Sequence, residues 1–210
     1  QENTLTDWII AHYPSLRSVG EPQKLQNGDM VMRPGIVHRL DRETSGVVVL
    51  AKNQTSFTFL KKQFQEHTVK KNYNAFVYGR LKQKKEIIDI PIGRSKSDFR
   101  LWLADARARG HQREAVTEYR VLEEGADASF IEVLPKTGRT HQIRVHMKAV
   151  NHPVVCDKRY APKRSCILGF KRLALHARSI SVRTSSGSIV VLEASLPEDF
   201  SRAIEILLKK

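Results

Sequence analysis

The tightest constraint on the fold is that strand-like segments follow one another with few helices between them. "KKNYNAFVYGRL" (70–81) alternates apolar and polar residues and ends at a glycine, the pattern of a half-buried strand entering a turn. "FRLWLA" (99–104), "EAVTEYRVLE" (114–123) and "SFIEVLP" (129–135) read as further strands. "RLALHARSISVR" (172–183) and "SIVVLEA" (188–194) read as a pair around a Ser-Ser-Gly turn. "GVVVLAKN" (46–53) reads as a buried strand. Helical spacing is confined to a few places. They are 4–16, capped by Thr6 or Asp7, 54–68 with Phe57, Leu60 and Phe64 on one face, 140–151 with Ile143, Met147 and Val150 on one face, and 197–210. Strands in succession favour an α+β fold with a mostly antiparallel sheet over a doubly wound α/β one.

A chain of 210 residues, 40% of them hydrophobic, is long enough to bury a core and reads most simply as one domain and a monomer. No apolar run approaches the roughly 18–20 residues that span a bilayer, and no signal-peptide pattern opens the sequence. Cys156 and Cys166 form no metal or redox motif by spacing, so a reducing, cytoplasmic setting is the default expectation. Charge is more informative. Lys and Arg number 36 against 22 Asp and Glu, a net +14, which points to a polyanionic partner, nucleic acid first. No basic amphipathic helix with a large aromatic face argues for a membrane surface instead.

Among the candidate chemistries, metal binding lacks support: none of the eight histidines forms the His-x-x-x-His pair that sets two ligands on one helical face. His141 and His146 are five apart in sequence, about 140° around a helix. Phosphate-cradling and dinucleotide-binding glycine fingerprints are missing too. Asp41 and Glu43 stand too close together to flank a sugar in the inverting geometry. What remains is "HRLDRETSG" (38–46), in which Asp41 lies between Arg39 and Arg42 just before the apolar run. In isolation such a carboxylate is most often a surface ion pair. In a loop at the edge of a sheet, beside a guanidinium that favours its ionised form, it suits a nucleophile or base. The second constellation is "LPKTGRTHQIRVHM" (134–147). As a helix it sets His141, Arg144 and Lys148 on a basic face opposite the apolar one, with arginine available to a carboxylate and the rest to phosphates.

Taken in order, these blocks resemble the RluA-type pseudouridine synthases: "HRLDRETSG" with "VVVLAKN", then "KKNYNAFVYG", then "LPKTGRTHQIRVHM" with "NHPVVCDKRY", and last "RLALHA". The similarity covers essentially the whole chain, "PIGRS" and "EAVTEY" included. The resemblance implies the pseudouridine synthase fold, a mostly antiparallel mixed sheet flanked by helices with a catalytic cleft across it. It implies an isomerase that converts uridine to pseudouridine in ribosomal or transfer RNA without cofactor or metal. By the same resemblance Asp41 is the catalytic aspartate, Tyr73 the tyrosine that packs on the target base, and Arg144 the basic partner of the aspartate. Arg39 matches an arginine that enters the RNA helix where the flipped base has left. His38, Arg139, His141 and Lys148 are further RNA-binding candidates.

The sequence departs from the family pattern in places. Arg42-Glu43 stands where Lys-Asp is common, with charge kept, and Cys156 stands where a glycine usually precedes the aspartate of "HPVVGD". The family's opening strand with its Lys-Pro-x-Gly segment, and the small N-terminal RNA-binding domain of many relatives, find no match before Gln1. A single catalytic domain lacking both, with an incomplete sheet edge, is therefore expected. The competing expectations are an inactive RNA-binding module of the same fold and a metal-dependent basic nuclease.

Overall fold

A computed structural model describes residues 4–24, 28–105 and 107–209. The chain begins with α1 (Leu5–His12), a 3-10 turn (Pro14–Ser18), β1 (Pro22–Lys24) and β2 (Met30–Met32). There follow β3 (Ser45–Gly46), α2 (Gln54–Gln65), β4 (Lys70–Tyr78), β5 (Lys85–Asp89), β6 (Ile92–Ser95), β7 (Trp102–Leu103) and β8 (Ala108–Arg113). Then come β9 (Val116–Glu124), β10 (Ala128–Pro135), α3 (Gln142–Ala149), β11 (Leu175–Arg183), β12 (Ile189–Glu193) and α4 (Glu198–Leu208). These elements fall into two compact units.

The smaller unit comprises residues 1–39, 48–69 and 181–190. Its core is Ile9, Leu16, Val19, Ile36, Ala51 and Phe57, with Leu60 packed against it. Helix α1 is capped two or three residues earlier than expected. Thr4, not Thr6 or Asp7, is the N-cap: its hydroxyl accepts the Asp7 amide while the Asp7 carboxylate accepts the Thr4 amide. In α2 the Asn53 side chain accepts the Ser56 amide, and Phe57 is buried as the helical spacing requires.

The larger unit comprises residues 40–47, 70–180 and 191–210. Its sheet runs in the order β12-β11-β4-β10-β9-β5, with β3 added to β11. The pairs β4–β10, β9–β10 and β5–β9 are antiparallel, and β3–β11 is parallel. A second, three-stranded sheet, β7-β6-β8, is antiparallel. Strand β4 and β10 are buried along most of their length, because α3 and α4 contribute apolar side chains to the same core. Phe76 sits at the centre, 4.8 Å from Phe130, 5.2 Å from Phe170 and 5.6 Å from Phe200. Full burial of such a ring contributes on the order of 1.5–3 kcal/mol.

The apolar run 46–53 forms no strand beyond β3. At Gly46 (φ 118°) the chain passes so close to Ala177 that a Cβ would collide with its backbone, and two residues of ladder are all that form. The later amides find other acceptors: Val49 donates to His38 Nε2 at 2.9 Å and Ala51 to the Gly35 carbonyl at 2.9 Å. The expected strand 99–104 shrinks to Trp102–Leu103. Cys156 and Cys166, unremarkable by spacing, are joined as a disulfide. No helix among the described residues is long and apolar enough to cross a membrane.

Candidate active site

Asp41 lies in a loop of the larger unit that its own neighbours hold in place. The Thr44 amide donates to the Asp41 carbonyl at 2.9 Å, closing a turn. The Ser45 hydroxyl donates to His176 Nδ1 at 2.9 Å, and Arg172 donates to the Glu43 carbonyl at 3.2 Å. His176 has its other nitrogen 3.3 Å from the Ala194 carbonyl, which fixes Nε2 as the donor and Nδ1 as the acceptor.

Arg144, on α3, meets this loop, and here the structure corrects the expected basic helix face. Gln142 through Met147 are all buried, Arg144 included, and only Lys148 of the proposed face is exposed. The guanidinium tolerates burial because it is neutralised on two sides. Its Nη1 donates to Asp41 Oδ2 at 2.8 Å, while Nε and Nη2 make a bidentate pair with Asp157 at 2.7 and 2.8 Å. Burial opposes charge on Arg144, but its bonds to Asp157 and then to Asp41 outweigh this and raise its pKa. Asp157 is enclosed, its side chain 0% exposed, and Oδ1 also accepts the amides of Arg159 and Tyr160 at 3.0 Å each. Asp41 keeps 18% exposure.

Tyr73 stands on β4, opposite Val133 of β10. Burial, then the charge of Asp41, pushes its phenol up to about 12, so at neutral pH it is an uncharged ring near the carboxylate. Two residues earlier on the same strand face, Lys71 donates to the Thr137 carbonyl at 2.9 Å. Burial, then Arg139, brings its ammonium down to about 8.

The RNA-binding candidates differ in situation. Arg39 and Lys148 are exposed. His38 accepts the Val49 amide and stacks on Phe64 at 4.8 Å, so its ring helps order its own unit. Arg139 donates through Nε to the Glu114 carbonyl at 2.9 Å. His141, half-buried, places Nε2 3.7 Å from Asp41 Oδ1 and Nδ1 2.8 Å from the Tyr160 hydroxyl. Reading the sequence missed Asp157 and Tyr160. Both lie within "NHPVVCDKRY", where only the cysteine drew notice, and an acid thirteen residues beyond Arg144 carries no local sign of pairing with it. A groove of about 490 Å³ bordered by Tyr78, Arg164 and Leu207 includes none of these residues. Among the described residues no group of three or more His, Cys, Asp or Glu side chains is placed to hold a metal.

The site thus holds a partly exposed carboxylate tied to a buried arginine, with a buried tyrosine near it, in an α+β fold. The sequence pattern of the RNA pseudouridylate synthase family matches residues 9–149, and the chain belongs to that family. It is 39% identical over 207 residues to an uncharacterized RNA pseudouridine synthase of Bacillus subtilis (strain 168), covering 98% of this chain and 63% of that protein. It is 38% identical over 214 residues to ribosomal large subunit pseudouridine synthase D of Neisseria meningitidis serogroup B, covering 97% of this chain and 53% of that protein. Human RNA pseudouridylate synthase domain containing 1 has a similar structure, with a TM-score of 0.74 and 26% identity over 92% of this chain and 74% of that one. The chain thus spans a little over half to just under two thirds of the length of these curated relatives.

Proposed function

We propose that this chain isomerises uridine to pseudouridine in RNA, with Asp41 as the catalytic carboxylate. The reaction breaks the N1–C1′ bond, turns the uracil and joins C5 to C1′; C5 gives up its proton to solvent and N1 takes one up. Nothing is oxidised and no group is donated. An ionised Asp41 can enter this sequence by attack on the sugar, by attack on the base or by taking the C2′ proton. The observation that carries the reading is the Asp41–Arg144 pair at 2.8 Å, braced by Asp157 in a chain of this family. Tyr73, a neutral phenol, offers a flat face for the flipped uracil and a hydroxyl for hydrogen bonding. Unstacking the base costs a few kcal/mol, and the net charge of +14 favours the phosphate contacts that offset it. Ribosomal RNA is the first substrate to try, because the Neisseria meningitidis relative is named for the large ribosomal subunit; transfer RNA is the second.

Asp41→Asn tests this reading. It keeps the shape of the side chain and removes its charge. Pseudouridine formation on ribosomal and transfer RNA should fall below detection, while RNA affinity in a gel-shift assay stays within about threefold. Retained turnover removes Asp41 from the reaction. Strand cleavage that a chelator suppresses would favour a nuclease.

A further inference from the structure

The two oxygens of Asp41 have different neighbours. Oδ2 accepts Arg144 Nη1 at 2.8 Å, whereas Oδ1 faces His141 Nε2 at 3.7 Å, beyond hydrogen-bond length. Burial, the largest influence, lowers the His141 pKa and leaves the ring uncharged near neutrality. A neutral imidazole has one N–H and one lone pair, and its surroundings decide which nitrogen has which.

The ring's other partner resolves this. Tyr160 accepts the Trp102 amide at 3.3 Å and lies 2.8 Å from His141 Nδ1. With the proton on Nδ1, the Tyr160 oxygen would accept two N–H groups and the Nε2 lone pair would face a carboxylate. With the proton on Nε2, the Tyr160 hydroxyl donates to Nδ1, the Trp102 amide is satisfied, and an N–H dipole faces Oδ1. Only the second arrangement leaves no acceptor facing an acceptor. The Tyr160 ring also lies 5.1 Å from the Arg144 guanidinium, so one side chain touches both groups that flank Asp41. His141 holds this place in a left-handed backbone conformation, φ 54° and ψ 22°, at the head of α3. Non-glycine residues rarely adopt that conformation.

We propose that His141 and Tyr160 are positioning residues for Asp41. Tyr160 fixes the Nε2–H tautomer of His141, whose N–H orients Oδ1 as the oxygen presented to the target nucleotide, while Arg144 retains Oδ2. This assignment rests on the pseudouridine synthase reading. It gives His141 a task other than gripping phosphate. It also makes the acid side of the rate profile a property of this ring. When His141 gains a proton it becomes a second cation on Asp41 and holds Oδ1 in an ion pair. The charged groups acting on it are Asp41 and Asp157, which favour that proton, and Arg144 and Arg159, which oppose it. The neutral Tyr160 hydroxyl also faces it.

The test is a set of substitutions with kcat, KM and pH profiles measured on uridine-containing RNA. In His141→Gln the side-chain amide reaches the Nε2 position and keeps an N–H there without titrating. In His141→Asn it reaches only the Nδ1 position, although asparagine tolerates the left-handed backbone better. The proposal expects His141→Ala to lose about 100-fold in kcat with KM nearly unchanged, as for a misplaced reacting group. It expects His141→Gln to recover most of that loss and to abolish the acid limb, and His141→Asn to recover little. Tyr160→Phe should cost about tenfold in kcat, the effect of one hydrogen bond, with melting temperature nearly kept. Without RNA, ring ¹⁵N shifts should show His141 protonated at Nε2, and Tyr160→Phe should mix the tautomers. If asparagine rescues as well as or better than glutamine, or the shifts show protonated Nδ1, His141 serves the backbone and the proposal is overturned. A wild-type chain that makes no pseudouridine would remove the functional reading instead, and the ¹⁵N result would still decide the tautomer.

Discussion

Two loops bring a carboxylate to the same guanidinium, and they treat it in opposite ways. The loop after α3 delivers Asp157, whose oxygens take two arginine donors and two backbone amides with no exposed side-chain surface. The loop at 40–47 delivers Asp41, which takes one arginine donor, keeps 18% exposure and has Oδ1 directed at a ring nitrogen 3.7 Å away. A carboxylate enclosed by four donors is an anchor, since neither oxygen is open to a substrate. Asp41, on the same arginine, keeps an oxygen open, as the proposed reaction requires. Arg144 therefore spans the contrast, fixed by one acid and fixing the other.

The largest expected effect probes that contrast directly. Asp157→Ala leaves a buried guanidinium with half of its neutralising charge and two amides without acceptors. It should destabilise the fold by about 3–5 kcal/mol, the cost of removing one partner of a buried pair. Asp41→Ala also takes a partner from Arg144, but at a partly exposed position and with no backbone amide left without an acceptor, and should cost less, about 1–2 kcal/mol. Urea unfolding of the two variants measures both. Equal losses would mean that the two acids are alike and that the contrast has no functional content.

A second effect belongs to the enclosed histidines together. His146 is 0% exposed and fully paired: Nε2 donates to the Ile90 carbonyl at 2.9 Å and Nδ1 accepts the Thr117 hydroxyl at 2.8 Å. Burial lowers the pKa of His141, His146 and His176 alike. All three are neutral in the fold, and the unfolded chain takes up a proton near about pH 6.5 that the native one refuses. Their contribution is complete above that pH and is lost as pH falls below it toward the lowered native values. Glu118 and Glu124, held low chiefly by Lys136 and Lys84 respectively, act in a lower window, below about 4.5. Unfolding free energy should therefore drop between about pH 7.5 and about pH 5.5, before carboxylates matter. A flat profile over that range would show that the histidines titrate normally.

Legibility in the sequence followed burial. In β4 and β10 the apolar spacing matches what is enclosed, because both face one continuous core, whereas α3 encloses Gln142, Arg144 and His146 as well. The segments β5, β6 and β8 escaped notice: "KEIID" encloses only Ile88, and "ARGHQR" is almost wholly polar, so neither shows an apolar period. "VVVLA" misled for the converse reason, an apolar run whose Val49 and Ala51 amides go to a histidine and a loop carbonyl rather than to an extended ladder. The ordered motifs singled out Asp41, Tyr73 and Arg144. The burial of Arg144 was not legible, since the acids that permit it lie 103 residues before and 13 after.

The smallest expected effect concerns the one residue of the α3 basic group that is exposed. Lys148 is exposed, whereas Arg144 and His146 of the same helix are buried and hydrogen-bonded inside the protein. It can meet a phosphate without disturbing the carboxylate site. Lys148→Ala should weaken RNA binding by about four- to fivefold near physiological salt and reduce the salt dependence by about one counterion, equally for every sequence. Its kcat at saturating RNA should match the wild type. A fall in kcat, or a change in which uridine is modified, would place Lys148 within the reacting constellation, and the division between anchored interior and RNA-facing exterior would have to be redrawn around it.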